Sequence, residues 1–519
     1  MELMKMKITE WHKVFIADLA AACFAYSLLM INQLVNQYDG LWHGSISYAG
    51  HHEFTIGRWL WPYLDKLRFF LSPDPVTSII SIVLFILSFI LLMDMLETPA
   101  GAMRYIASLL FTVSTSVLVS LSYRYMSPTF AAACFFAMLS AYLLVKCSRK
   151  WVFFLIVPLL ISFMMGLYQA DLGCLCFALL LYISLMLYKA ERSGKEILSF
   201  TLRCFLSVIL GGVMYYVLLY LNLWVNDMHL DSYGGADSYG PVGMILHLPE
   251  RFLVTYSEYA RYFRNHSIKS NIFSNRLYLI VFLMILLILA YGAYELFLRN
   301  RIYALFYIIS LALIPFACNV VLIIAFEADT QIQMTVPMSM SIPGLLCLCT
   351  RIRKMPWHIG KLYGVLLAVA SCVLLYGNYI MTIYDQQAMY MGKNSMEKMA
   401  SQIVSELQIN DLYHPYYQYV FVGKPSDNPL FVKNEYVWDK ANRYARFGGW
   451  SADDTRENIQ SWQGFWTNCM GTGLYVADDE HLKSALEDQA VMGMPIFPEK
   501  GSCVLYNDVV VVKLSDIDR

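Results

Sequence analysis

The chain is short of charge. Only 15% of its 519 residues are Asp, Glu, Lys or Arg, where soluble domains carry about 25%. Its net charge of −1 gives no whole-molecule field to gather nucleic acid or acidic partners, so no nucleic-acid partner is expected. Also missing are the glycine-rich phosphate loop, the dinucleotide fingerprint, GxSxG, HExxH and any paired CxxC. ATP-driven transport, nucleotide cofactors and serine hydrolysis therefore have no support. Neither an internal repeat nor a low-complexity segment is present. Cysteine is not scarce, at twelve, but ten lie in or beside apolar runs, such as Cys174, Cys176, Cys347 and Cys349. There they read as small packing residues. Only Cys469 and Cys503 fall in polar sequence, where pairing depends on the compartment.

Apolar residues make up what charge leaves open: 58% of the chain, with mean hydropathy +0.49. A bilayer core takes about 17–25 residues of helix. Eleven runs qualify, near 14–35, 76–95, 103–122, 128–145, 151–168, 172–188, 202–224, 277–297, 302–326, 334–350 and 362–384. "LAAAC", ending at Cys23, superficially resembles a lipoprotein cleavage site. Asp18 interrupts the apolar stretch before it and the run continues beyond, so an uncleaved first span is expected. The fold class expected is a polytopic α-helical membrane protein of about eleven spans, residues 1–384, followed by a small α/β domain, residues 385–519.

Basic residues orient the spans. One set of connections is short and basic, with Lys5, Lys7, Lys13, Lys146, Arg149, Lys150, Arg351, Arg353 and Lys354 among its members. The alternate set is longer and poorer in Lys and Arg, and holds the loops 36–75 and 225–275. A cytoplasmic N-terminus and an extracytoplasmic tail follow. Two outer stretches read as surface helices: "GRWLWPYLDKLRFFL" (57–71), and 249–265, where Pro249 suits a first helical position and Phe252, Tyr256, Tyr259 and Phe263 recur at helical spacing. Either suits an interfacial anchor. In the tail, 395–411 puts Met396, Met399, Ile403 and Leu407 on one helix face. Residues 417–425 read as a strand, 478–490 as an Asp-capped helix, and 502–514 as strand, Asn507–Asp508 turn, strand.

The chemistry-bearing residues cluster in the outer segments. Group transfer from a lipid-borne donor needs a carboxylate to take the acceptor's proton. It also needs cations for the donor phosphate, and aromatic and amide groups for the sugar. Asp39 in "NQYDGLWHG" (36–44) lies between Tyr38 and Trp42, where low polarity raises a carboxyl pKa; a helix cap or solvated loop Asp is the plain alternative. Glu53 in "GHHEF" is the second carboxylate. With His43, His51 and His52 it is the nearest approach to a divalent-cation site, which a solvated histidine-rich loop explains equally. The soft ligands of a structural zinc site are missing, and no cofactor or metal is expected. Arg58 in "GRW" presents a planar fork to phosphate, with Arg124, Arg261 and Arg264 as lesser candidates; arginines snorkelling at a membrane boundary look the same. Trp42, Trp59, Tyr256 and Tyr259 are candidate sugar contacts. Gln169 and Asp171 in "YQAD" are polar at membrane depth, and Glu327, Asp329, Gln331 and Gln333 lie in another outer loop. Trp438, Trp450, Trp462 and Trp466 fit either sugar stacking or a domain core.

These features together resemble the membrane glucosyltransferases of the serotype-converting type II family. The residues that carry the resemblance are Asp39 in "YDG" just after the first span, "GRW" at 57–59 and "YQA" at 168–170. The aromatic "YSEYARYF" of the large outer loop and the closing "GMPIFPEKGSCVLYNDVVVVKL" (493–514) complete it. The resemblance implies a GT-C type fold and a polyprenyl-phosphate sugar donor, usually glucose. It implies transfer to a surface polysaccharide or cell-wall glycan, and partners in a flippase and an enzyme that charges the lipid. One feature departs from the pattern. Relatives often place two adjacent acids in the first outer loop, whereas here Tyr38 and Gly40 flank Asp39, leaving it alone or paired with Glu53. A polysaccharide polymerase or ligase, or a transporter or flippase of lipid-linked saccharides, are the alternative functions.

Overall fold

The computed structural model describes residues 2–46, 49–231, 241–266, 274–323, 325, 330–352 and 357–517. Among these are nine helices long and apolar enough to cross a bilayer: Val76–Met95, Ala102–Ser122, Ser127–Lys146, Gln169–Lys189, Gly194–Val225, Arg276–Arg299, Arg301–Cys318, Ile332–Cys349 and Gly360–Ile409. A shorter apolar helix, Val152–Leu167, and the helix Glu2–Ala25 accompany them. This is the build of a polytopic membrane protein. Outer members such as Gly194–Val225 keep Phe205, Val213, Tyr216 and Trp224 exposed. Inner ones such as Gln169–Lys189 are mostly buried. Apolar surface left bare on a helix this long is surface for lipid.

The bundle is interrupted where it approaches the loops. Ala102–Ser122 breaks between Thr112 and Thr115, and the Ser114 side chain caps the second half at Val117 N, 3.3 Å. The Tyr26 hydroxyl donates to Thr112 O (2.8 Å) and accepts from Ser114 N (3.1 Å). It thereby satisfies backbone groups that a break inside a membrane would leave unpaired. Two surface-helix expectations are corrected. Within 57–71 only Trp61–Leu67 is helical, because Gly57, at φ +85°, turns the chain just before it. In the large loop the helix is Pro241–Arg261, with Pro249 in its interior and not at its start. Arg264 sits in the short π-helical turn that follows it, Tyr262–His266.

The last apolar helix does not stop at the expected boundary of 384/385. It runs unbroken from Trp357 to Ile409, about 80 Å at 1.5 Å per residue, against a hydrocarbon core near 30 Å. Its far half is the spine of the C-terminal unit. Met396, Met399, Ile403 and Leu407 are all buried there, packed with Tyr419, Phe421, Trp450 and Trp462. Asp385, buried at the junction, accepts from Asn442 N (2.8 Å), Asn442 Nδ2 (2.9 Å) and the Tyr444 hydroxyl (2.7 Å). Beside it the Gln386 Oε1 accepts from Leu29 N at 3.0 Å. Strands β1 (Gln418–Val422), β2 (Tyr475–Val476), β3 (Cys503–Tyr506) and β4 (Val509–Lys513) form one sheet in the order β2-β1-β4-β3. β1 is parallel to β2 and β4, and β3 and β4 form an antiparallel hairpin whose turn places Asn507 at φ 54°. The Asp479–Glu487 helix is capped by Asp478. Cys469 and Cys503 are free thiols.

Candidate active site

Asn36 builds the turn that presents Asp39. Its backbone N–H donates to Ser122 O at 3.1 Å, tying the first loop to the end of a neighbouring helix. Its side-chain oxygen accepts from Tyr38 N (3.2 Å) and Gly40 N (2.9 Å). One helical turn, Asp39–Trp42, follows. A Cβ on Gly40 would lie 2.7 Å from Ser122 O, so no second acid fits at position 40.

Asp39 opens into a cavity of about 1050 Å³ whose walls come from four separate stretches of the bundle and from the C-terminal unit. The first loop contributes Trp42, His43, His51, His52, Glu53 and Arg58. Tyr123, Tyr125, Phe130 and Tyr168 supply an aromatic wall, and Gln331 and Gln333 reach in from another connection. The chain segments involved all join helices at the same end of the bundle. Burial pushes the Asp39 carboxyl above its ordinary range, and Arg456, Arg58 and His52 pull it back. Burial likewise raises Tyr38 to about 12 and lowers His43 to about 4, so His43 is a neutral ring, stacked 3.8 Å from Tyr125.

The Arg58 guanidinium lies 5.4 Å from the Tyr168 ring and 5.7 Å from Trp61, within cation–π range of both. The loop beneath it is fixed from behind. Gln169 Nε2 donates to Ile56 O (3.4 Å), and the Tyr215 hydroxyl donates to Gly57 O (3.0 Å). Glu53 is at the cavity wall, but its Oε2 accepts from Gly50 N at 2.5 Å, capping its own short helix. Asp65 anchors the rest of the loop through Ala49 N (2.7 Å) and Arg68 (2.7 Å). Among the described residues no group of three or more His, Cys, Asp or Glu is arranged to hold a metal.

A family description, Glucosyl transferase GtrII, matches residues 44–348, more than half of the chain. The chain belongs to this glucosyl transferase family. No curated protein and no solved structure matches it. The matched region holds Glu53, Arg58 and the aromatic wall. Asp39 and Trp42 precede it, and the C-terminal wall of the cavity follows it.

Of the residues singled out in this transferase's sequence, the structure brings Asp39, Trp42, Glu53 and Arg58 together, with Gln331 and Gln333. Trp59 is buried against Phe163 and is not on the wall. Gln169 stands behind the loop, and Asp171 is buried beside Cys174. Arg124 is a correction: it is buried beneath the first loop, 3.4 Å from Gln33 and facing Asp74, because the chain turns Tyr123 and Tyr125 into the cavity and Arg124 away. Tyr256 and Tyr259 line a different cavity, about 890 Å³ and almost wholly apolar, among the helices 274–299 and 301–312. Arg261 pairs with Glu258 at 3.2 Å and lines neither. Glu327 and Asp329 lie outside the described residues. The tail tryptophans are core: Trp450, Trp462 and Trp466 are fully buried.

Sequence reasoning missed the wall supplied by the Thr455–Phe465 helix and the turn after it: Arg456, Gln460, Gln463, Thr467 and Asn468. A signal was present. Arg456, Gln460, Gln463 and Thr467 recur at spacings of four, three and four, one polar helix face backed by Trp462, Phe465 and Trp466.

Proposed function

We propose that this membrane glycosyltransferase moves glucose from a polyprenyl-phosphate donor to a surface polysaccharide or other cell-wall glycan, at the extracytoplasmic face, on a GT-C type scaffold of eleven spans. The observation that carries the reading is the cavity itself: in a glucosyl transferase chain, one partly desolvated carboxylate, a ring-held guanidinium and an aromatic wall converge where the bundle ends. Asp39 takes the proton of the acceptor hydroxyl as its oxygen attacks the anomeric carbon. The bond from that carbon to the phosphate oxygen breaks, and polyprenyl phosphate leaves with the electron pair. Arg58 bears the charge that develops on the phosphate. A single displacement with one base inverts the anomeric centre. The apolar cavity beside Tyr256 and Tyr259 suits the prenyl tail, and a flippase and a lipid-charging enzyme would supply the donor.

The test is purified protein in vesicles with radiolabelled polyprenyl-phosphate glucose and purified wall glycan, comparing wild type with Asp39→Asn. Transfer by the first and its loss in a folded variant is the expected result. Full transfer by Asp39→Asn removes the base, and a requirement for an oligosaccharide-diphosphate lipid points to a polymerase or ligase. Thiol labelling that places residues 36–60 on the cytoplasmic side overturns the whole scheme.

A further inference from the structure

One part of the cavity wall is not made by the membrane bundle. It is one face of the Thr455–Phe465 helix, pressed onto the Asp39 turn. A Cβ on Gly464 would lie 2.6 Å from Leu41 O, and the Ser461 hydroxyl donates to Gln37 O at 3.1 Å. Part of that face is structural. Asn468 Nδ2 donates to Leu41 O (3.0 Å) and Trp42 O (3.1 Å). Gln463 spends its amide on Leu474 O, Thr467 Oγ1 and Val476 N. Arg456 and Gln460 differ. Both line the cavity, and among the described residues neither side chain makes a hydrogen bond or ion pair. Groups with several donors and acceptors, set over a cavity that also holds Trp42, are the chemistry that binds a polyhydroxylated ring.

We propose that this face is the acceptor subsite, in which Arg456 and Gln460 bind hydroxyls of the glycan residue that Asp39 deprotonates, with Trp42 as the ring's platform. The inference rests on the glucosyl-transfer reading. A lipid-borne donor reaches Asp39 from the bundle, past Arg58, Trp61 and Tyr168. A glycan outside the membrane approaches from the other wall, where the C-terminal unit stands. Arg456 has a second effect there, because it is the cation that acts most strongly on Asp39, ahead of Arg58 and His52. The Tyr38 and Tyr125 hydroxyls also face that carboxyl, and Asp454 and Glu457 stand near Tyr38.

The experiment uses the full chain in vesicles, radiolabelled polyprenyl-phosphate glucose and purified wall glycan, with KM measured separately for donor and glycan. Gln460→Ala is expected to raise the glycan KM about fivefold and Arg456→Met about tenfold or more, the range of lost hydrogen bonds to neutral and charged groups. Donor KM should stay within twofold. Arg456→Met should also move the acid limb of the rate profile to higher pH, which Gln460→Ala should not, and Arg456→Lys should restore that limb. A glycan KM within twofold of wild type in both variants overturns the subsite, as does a rise in donor KM instead. If the wild-type protein moves no glucose to glycan, the functional reading fails first. Because both side chains are on the surface of their helix, thermal melting of the variants should match wild type, and a variant that melts early is replaced by Gln460→Met, which removes the same hydrogen-bonding groups at similar volume and for which the same rise in glycan KM is expected.

Discussion

Replacing Gly464 by alanine tests whether the C-terminal unit completes the site. The added Cβ would stand 2.6 Å from Leu41 O and 2.8 Å from the Trp42 Cα, where ordinary contact begins at 3.4 Å. The helix must therefore retreat by roughly 0.8 Å, the difference between 3.4 and 2.6 Å, and its neighbours there are backbone atoms that cannot swing aside. Overpacking of this kind costs about 1–3 kcal/mol. The retreat also stretches the Asn468 and Ser461 bonds that grip residues 37–42. A misplacement near 1 Å around reacting groups costs on the order of 100-fold in rate. Glucose transfer in vesicles should thus fall by about that factor, while a melting curve shows a loss of a few degrees and not unfolding. Labelled thiols on the Thr455–Phe465 helix and the first loop should report a wider separation. Wild-type transfer by Gly464→Ala, with the fold intact, would refute the idea that the helix must sit tight on the Asp39 turn.

The pH profile follows from the burial of Asp39. A base works only as the carboxylate, and burial raises its pKa, so transfer should fail on acidification at a pH above the ordinary aspartate range near 4. In Asp39→Asn the acid limb should vanish and the rate fall by about 100- to 10,000-fold; a limb unchanged in the variant assigns it elsewhere. Arg58→Gln, which removes a guanidinium held over Trp61 and Tyr168, should raise donor KM at least tenfold and leave glycan KM alone, as read by titrating each substrate. Trp462→Ala deletes a fully buried ring stacked 4.1 Å from Phe421. It should cost about 3–5 kcal/mol, seen as a lower melting temperature, whereas a sugar-stacking Trp462 would lose affinity and keep its melting point.

The helices were legible because burial in lipid demands long apolar runs, and 58% hydrophobic sequence spells them out. The tail was legible for the opposite reason: Met396, Met399, Ile403 and Leu407 pack on one side only, and periodicity reveals a one-sided face. What periodicity hides is where a helix ends. Nothing between Tyr384 and Asp385 marks a boundary, since the helix continues and the change is only in what surrounds it. Pro249 looked like a start because proline favours first turns, yet the helix is already running at Pro241, eight residues earlier. Arg124 illustrates a second limit. In "SYRYMSP" each side chain is a plausible ligand, and only the fold decides that the two tyrosines turn in and the arginine turns towards Asp74.

The lone acid of the first loop was the puzzle left by the sequence, and packing resolves it more narrowly than composition does. Gly40 cannot carry any side chain, since Ser122 O occupies the space where its Cβ would stand. Glu53 is near enough to line the same cavity, but its carboxylate is already closed onto Gly50 N. Freeing it would unmake the short helix His51–Thr55 that leads directly into Gly57 and Arg58. A carboxylate committed to a cap does not move protons in each turnover, whereas Asp39 faces cations from both walls and gives its side chain to no cap. On the proposed reading the two cations divide the work that a second acid would otherwise perturb: Arg58 takes the donor phosphate, and Arg456 keeps Asp39 ionised while the glycan is held. Adding an acid at position 40 would therefore break the Asn36–Ser122 junction before it could assist, and Gly40→Asp should lose both stability and transfer, with no gain at any pH.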